Sequence, residues 1–339
     1  MSQARFSFVL PVRLRPDSLP TDLGSVVSVT AKSVAVFFPS ELIDQFFVVA
    51  CAADLQAIKQ RASFELPDFP FRFIDEVALC PIFGRPDDGH EGRGWQGWHK
   101  QQVIKIAAAS IVQSPYYITL DDDVILTRQV QLGDLVDGDR LAGSYLPPSF
   151  HESWYRSCCE VLKCSPDVVL SAGYVMGVTP QVVVTEIMRN LQDELARLWN
   201  IEDFAECLLE LAGIKIPITR SASVNRLYYR VTGRRAVRRG ISADVVAKCR
   251  RWTEHQLYWT YLQKEQIGER YYSVNGRAMT AQGVWSNDEA SAISIDEWIH
   301  SQFDESHDHF FTVFASQIRR DHRSKLNERV SARLADACR

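Results

Sequence analysis

Short apolar runs recur along the first third of the chain, and each is followed by a stretch with helical spacing. Phe6-Ser7-Phe8-Val9-Leu10-Pro11-Val12 reads as a first strand, Phe46-Phe47-Val48-Val49-Ala50 as a second, Phe71-Arg72-Phe73-Ile74 as a third and Tyr116-Tyr117-Ile118-Thr119-Leu120 as a fourth. Between them, residues 22–38, 54–61 and 98–113 space their apolar side chains as helices do, with Pro39 as a stop for the first. Residues 81–97 are rich in glycine and read as a loop. This alternation predicts an α/β fold with a mainly parallel central sheet covered on both faces, the α/β/α sandwich of Rossmann-like proteins. In such sheets ligands bind beyond the carboxyl ends of the strands.

The texture changes towards the C-terminus, which is richer in helical patterns. Thr179-Pro180 predicts a helix start, with Thr as cap and Pro at the first helical position, running to about Asn200. Further helices are expected over 201–211, over 242–266 with a break near Thr253, and over 321–338 as a polar C-terminal helix. The expected organisation is therefore an α/β half over 1–150, a second half over 151–318 and a terminal helix over 319–339.

The fourth strand runs straight into Asp121-Asp122-Asp123. Three adjacent carboxylates repel one another, so something must offset the cost. A divalent cation shared with a phosphorylated ligand does so, because Mg²⁺ or Mn²⁺ takes one or two protein carboxylates and completes its shell with phosphate and water oxygens. The preceding helix carries Trp98, Gln101, Gln102 and Lys105, and Trp98, Gln101 and Lys105 share one face. Lys105 suits a diphosphate, and Trp or Gln suits a base or sugar. Arg13 follows the first strand as a second diphosphate candidate, and Asp75 ends the third as a partner for a ribose or base.

Thr253-Glu254-His255-Gln256 is a capping-box pattern that opens a helix at Glu254. The helix dipole favours an ionised acid in a first turn, which suits a general base, and Tyr258 and Tyr261 share its stripe as a sugar platform. Asn200-Ile201-Glu202-Asp203 is a second acid pair, read as a cap. His300, His307 and His309 lie among acids, and His309 is the candidate to complete a cation site with Asp123.

Composition narrows the classes. The chain has 339 residues and a net charge of −4, which excludes a globally basic nucleic-acid binder. It shows no secretory signal pattern, and its longest apolar stretch, 46–53, is too short to cross a bilayer, so a cytoplasmic protein is expected. None of the eight cysteines forms a Cys-x-x-Cys pair, and reduced thiols are expected. Arg226–Arg239 is a basic stretch suited to an anionic acceptor or to peripheral contact with a membrane surface.

Together, the N-terminal sheet, the Trp/Gln/Lys helix, the strand ending in Asp121-x-Asp123 and the later Glu-bearing helix resemble the GT-A-fold glycosyltransferases. Met176-Gly177-Val178-Thr179-Pro180 and Thr253-Glu254-x-x-x-Tyr258 resemble a poorly characterised bacterial branch of that family. The resemblance implies a metal-dependent enzyme moving a sugar from a nucleotide-diphosphate donor to a glycan, lipid-linked or other hydroxyl acceptor, as in bacterial polysaccharide synthesis. It implies Mn²⁺ or Mg²⁺ on Asp121, Asp123 and His309, and donor contacts from Arg13, Asp75, Trp98, Gln101, Gln102, Lys105, Asp121 and Asp122. It further implies acceptor contacts from Gly173, Met176 and Tyr258, and Glu254 as the general base of an inverting enzyme. The first half would bind the donor and the second the acceptor. Two other readings are a nucleotidyltransferase or phosphohydrolase, and a sugar-nucleotide-binding module without catalysis.

Overall fold

Four of the apolar runs pair side by side in the computed structural model, which describes residues 4–84, 94–214, 241–274, 283–304, 309–315, 318 and 320–337, with only the backbone of 94–96. They form β1 (Phe6–Pro11), β2 (Ile43–Ala50), β3 (Phe71–Asp75) and β4 (Tyr116–Thr119). Shorter strands follow: β5 (Val124–Leu126), β6 (Val136–Asp137), β7 (Arg140–Ala142), β8 (Tyr145–Leu146), β9 (Val175–Met176), β10 (Gln181–Val184), β11 (Tyr272–Ser273) and β12 (Phe311–Val313). The central sheet has the order β10-β4-β1-β2-β3, with β1 to β4 parallel and β10 antiparallel on β4. The expected mainly parallel α/β architecture is what the chain adopts.

Burial explains the strand pattern. Every residue of β1 is buried, as in a strand covered on both faces, so its sequence is apolar at every position but Ser7, whose hydroxyl pairs with that of Ser114 at 2.7 Å. Phe6, Phe8 and Phe46 have no exposed surface, and full burial of each such ring stabilises by about 1.5–3 kcal/mol. Strand order then fixes where ligands meet the sheet. The chain leaves β1 towards β2 and β3, then returns to the other side of β1 with β4. The crevice between the carboxyl ends of β1 and β4 is thus a topological switch point.

The sequence reading is corrected in three places. After Thr179-Pro180 the chain forms β10 and not a helix, which begins only at Thr185. The β-branched run Val182-Val183-Val184 pairs with β4 in the register Gln181↔Thr119 to Val184↔Tyr116, and that burial overrides the capping signal. The helix expected from Trp98 starts at Gly94, inside the glycine-rich stretch, and runs to Ala107. The helical region after β1 contains a buried π-helical segment, Gly24–Ala31, between Leu19–Leu23 and Lys32–Phe37.

The C-terminal helix, Arg320–Ala337, is polar in composition but buries Arg323, Leu326, Asn327, Val330 and Leu334. Asn327 Nδ2 donates to Ser25 Oγ and to the Thr21 carbonyl, both at 2.9 Å, which docks this helix on the π-helical region. A second small core including Val29, Ile125, Trp298, Phe314, Leu326 and Val330 lies beneath it. β12 pairs antiparallel with β5, so the segment after the triple acid is tied to the end of the chain.

Candidate active site at the triple acid

The first two carboxylates have different partners. Asp121 Oδ1 lies 2.7 Å from Lys105 Nζ, and Asp122 Oδ2 lies 2.7 Å from Arg323 Nη2. Asp123 ends the turn into β5, and its carbonyl accepts from Phe314 N at 3.1 Å. The expectation that a metal offsets the whole repulsion is therefore corrected: two buried protein cations, Lys105 and Arg323, take the first two acids.

Lys105 is fully buried and joins three elements. Its ammonium donates to Asp121, to Glu254 Oε1 at 2.9 Å and to Thr179 Oγ1 at 2.9 Å. His255 Nε2 donates to Glu254 Oε1 at 3.1 Å and lies 3.2 Å from Thr179 Oγ1. Glu254 N donates to Gln102 Oε1 at 3.1 Å. Lys105 and Gln102 face the same way because they sit three residues apart on one helix. Thr253 caps the Glu254–Lys264 helix by accepting from Gln256 N at 3.3 Å, the first half of the expected capping box, while the Gln256 amide turns to the Met176 carbonyl instead.

Burial alone would push the Lys105 pKa down, but Asp121 and Glu254 more than reverse this and hold the ammonium above the ordinary lysine value. Burial alone would raise the Glu254 pKa; His255 and Lys105 outweigh it and hold the carboxyl far below the usual carboxylate range. Arg323 is likewise held above its ordinary value, since Asp122 outweighs the cost of burial.

This environment corrects the general-base reading of Glu254. The side chain is 2% exposed, and a carboxylate so firmly ionised is a weak base. Its carboxylate contacts Lys105 and His255. Tyr258 and Met176, expected on the acceptor, are also fully buried. Tyr258 OH accepts from Val184 N at 3.1 Å and pairs with Tyr272 OH at 3.0 Å, while the Met176 carbonyl accepts from Gln256 Nε2. Both are core residues. Gly173 stands in an exposed turn with φ +76°, a conformation that favours glycine. Gly177 admits the close approach of β8, since a Cβ there would lie 3.2 Å from the Ser144 carbonyl oxygen.

The remaining expected residues divide. Arg13, exposed after β1, faces the crevice's helix, with its Nη1 3.9 Å from where a Cβ on Gly97 would lie. Trp98 is half-buried beside Trp154, with ring centroids 6.3 Å apart, and Gln101 is half-buried on the same helix. Asp75 is corrected to a helix cap: Oδ1 accepts from Val77 N at 3.0 Å, and β2 and β1 separate its strand from β4. Asp203 caps its helix in the same way, at 2.8 Å from Ala205 N. Asp122 is corrected from donor contact to partner of Arg323. His309 is corrected by register: Val313 pairs with Val124 and Phe311 with Leu126, which carries His309 towards Arg128, whose Nε donates to its carbonyl at 2.9 Å. Arg226–Arg239 and His307 lie outside the described residues.

Among the described residues, no three His, Cys, Asp or Glu side chains gather to hold a metal by themselves. The linked network nevertheless carries an excess of negative charge. Asp22, Asp121, Asp122, Asp123 and Glu254 stand against Arg15, Lys105 and Arg323, five permanent anions to three permanent cations. Asp121, 31% exposed, and half-buried Asp123 fit a cation that draws its remaining ligands from phosphate and water.

Sequence reasoning missed Thr179, His255, Arg323 and Asp22. His255 had a signal, as the neighbour of Glu254. Arg323 had none, being one basic residue among several in a polar helix. A cavity of about 580 Å³ lies elsewhere, between Asn287–Ala292, Ile295–Gln302 and Arg320–Ala337, lined in part by Asp296, His322, Lys325 and Arg329. It includes none of the three acids, and the candidate site follows the chemistry. Among the described residues, no helix is long and apolar enough to cross a membrane.

Several solved structures share features of this fold. Mouse xyloside xylosyltransferase 1, apo form, aligns with 93% of this chain and 99% of that chain at 11% identity and a TM-score of 0.48. The galactosyltransferase LgtC in complex with donor and acceptor sugar analogs gives 98%, 96%, 12% and 0.47. The mannosyltransferase Ktr4p from S. cerevisiae gives 60%, 62%, 11% and 0.37. All three are glycosyltransferases, but likeness at this level carries no argument about chemistry, which rests on the residues above. No curated protein matches the sequence. A family model does, over residues 3–331, and the chain belongs to that family, the family of unknown function DUF6492.

Proposed function

We propose that this chain is a glycosyltransferase that moves a sugar from a nucleotide-diphosphate donor to an acceptor hydroxyl, such as that of a glycan or lipid-linked sugar. One observation carries the reading. At the switch point between β1 and β4, Asp121 and Asp123 close the strand, a buried ammonium fixes the first of them, and the exposed Arg13 stands across the crevice. Carboxylates flanked by cations at such a crevice suit a diphosphate bound with a divalent cation.

In this reading Glu254, His255 and Thr179 hold Lys105, and Lys105 holds Asp121 in a single orientation. Asp121 and Asp123 would hold Mn²⁺ or Mg²⁺, which supplies charge stabilisation to the departing diphosphate. Arg13 adds an exposed positive charge at the end of β1. The acceptor oxygen bonds to the anomeric carbon as the bond from that carbon to the nucleoside diphosphate breaks, the diphosphate leaves with that electron pair, and the acceptor proton is released to solvent. Trp98 and Gln101, half-buried on the helix that carries Lys105, are the candidates to contact the base or sugar.

The test is thermal unfolding of the full chain against a panel of nucleotide-sugars, with and without Mn²⁺. A specific donor at about 100 times its Kd adds about 2.7 kcal/mol of stability. We expect one donor class to give this gain only with Mn²⁺, and Asp123→Ala to abolish it. A panel in which no nucleotide-sugar stabilises the chain would end this reading.

A further inference from the structure

We propose that Cys159 and Cys164 form a redox-active dithiol that exchange with a small organic disulfide closes to an intramolecular disulfide, with Cys164 as the attacking sulfur and Cys159 as the resolving one. The site stands apart from the sugar-transfer reading and does not depend on it.

The backbone brings the two side chains together. The chain leaves the helix Glu152–Val161 through a left-handed residue, Lys163, with φ +52°. Cys164 N donates to the Cys159 carbonyl at 3.0 Å, and Lys163 N donates to the Glu160 carbonyl at 3.2 Å. These two bonds fold the chain back over the last helical turn, and such an ending sets its first and sixth side chains against each other. That contact is commonly apolar. Here it is thiol against thiol, and the two side chains are hydrogen-bonded.

The surroundings assign the roles. Cys159 is 1% exposed, whereas Cys164 is half-buried and open to a reagent. The hydrogen bond with Cys159, helped by the charge of Lys264, outweighs burial and holds the Cys164 thiol below its ordinary pKa, which favours the reactive thiolate. Lys264 closes the helix that begins at Glu254, and it also pairs with Glu194. The hydrogen bond with Cys164 and burial push the Cys159 thiol up, so it keeps its proton until Cys164 has reacted. Cys51 is the other half-buried cysteine among the described residues, and there burial pushes the thiol up.

The exchange runs in two steps. The Cys164 thiolate attacks one sulfur of the small disulfide, forms a mixed disulfide and displaces one thiolate, which takes a proton. Cys159 then gives its proton to solvent, attacks the Cys164 sulfur and displaces the second thiolate. Two protein thiols are oxidised and one disulfide is reduced to two thiols.

The experiment incubates the reduced full chain with oxidised glutathione at pH 7 and maps its cysteines by alkylation and mass spectrometry. We expect a cross-link between 159 and 164 in the wild type, reversed by dithiothreitol. Cys159→Ser should stop at a glutathione adduct on Cys164, and Cys164→Ser should give neither a cross-link nor an adduct on Cys159. With iodoacetamide the wild-type Cys164 should react about threefold or more faster than Cys51. The two wild-type measurements carry the test if Cys159→Ser does not fold. Two thiols that merely pack would form no cross-link. A wild-type Cys164 that stays unmodified, ends as a lasting glutathione adduct, joins Cys158 instead, or reacts no faster than Cys51 overturns the proposal.

Discussion

Two ion networks meet at Asp121 and Asp122, and they handle the same problem differently. On one side a single buried ammonium, Lys105, serves both Asp121 and Glu254. On the other, Arg323 and Arg15 serve Asp122 and Asp22, charge for charge. The balanced network ties the C-terminal helix to the turn. The unbalanced one runs from a 2%-exposed carboxylate to a 31%-exposed one, and its surplus charge emerges at the sheet edge. Buried ion pairs contribute little net stability against apolar replacements, yet removing one partner is expensive. The surplus, rather than the number of ion pairs, therefore separates the part of this turn that can do chemistry from the part that holds it in place.

The largest effect is expected at the ammonium. Lys105→Met leaves Glu254 buried without its ammonium partner and releases Asp121, which should cost about 3–5 kcal/mol. Urea unfolding of the two chains at pH 7 measures it. A variant as stable as wild type would mean that Lys105 does not hold the cluster, and the contrast between the networks would disappear.

The sheet was legible in the sequence because β1, β2 and β4 are largely buried and read as mainly apolar runs. The helix at Glu254 was legible because Thr253 and Gln256 mark its cap. Lys105 and Asp121 could be singled out because they flank one strand. Their third partner could not: Thr179 reads locally as a helix cap, and only the pairing of Val182 with Ile118 reveals a strand that brings it to the same edge. Arg323 was illegible for a related reason. Its neighbours in space, Asp22 and Asp122, are 301 and 201 residues away, and no local pattern encodes such a contact. The burial of Glu254 was also invisible, since a first-turn acid on an amphipathic helix is usually solvated.

That burial makes the second prediction one of pH. The Glu254 carboxyl is depressed in the folded chain, so its contribution is fully present above the unfolded carboxylate pKa of about 4.3 and fades as pH falls towards the folded value. Glu254→Gln keeps the shape and loses the charge, while Lys105 retains Asp121. The variant should be about 1.5–3 kcal/mol less stable at pH 7, and the gap should narrow below about pH 4. Paired unfolding curves at several pH values read this directly. A gap that widens on acidification would mean that Glu254 is protonated in the native state. Transfer by the wild type should also show no inflection between about pH 5 and 8 that Glu254→Gln removes. Such an inflection would restore the general-base role.

The smallest effect is expected outside both networks, at Asp75. It ends β3 on the same sheet edge as Asp121 and, from sequence, was a candidate partner for a ribose or base. Its carboxylate instead accepts from Val77 N at the start of Glu76–Leu79, a helix of only four residues. Losing a cap there should cost about 0.5–1 kcal/mol. Three inter-strand spacings of about 4.8 Å also separate β3 from β4, which leaves Asp75 about 14 Å from the first acid, beyond a Debye length at physiological salt. Asp75→Ala should therefore shift the unfolding midpoint slightly and leave Mn²⁺ affinity within about twofold of wild type. A tenfold loss of Mn²⁺ affinity in Asp75→Ala would show that the surplus charge is shared along the whole edge and not confined to the crevice beside β1.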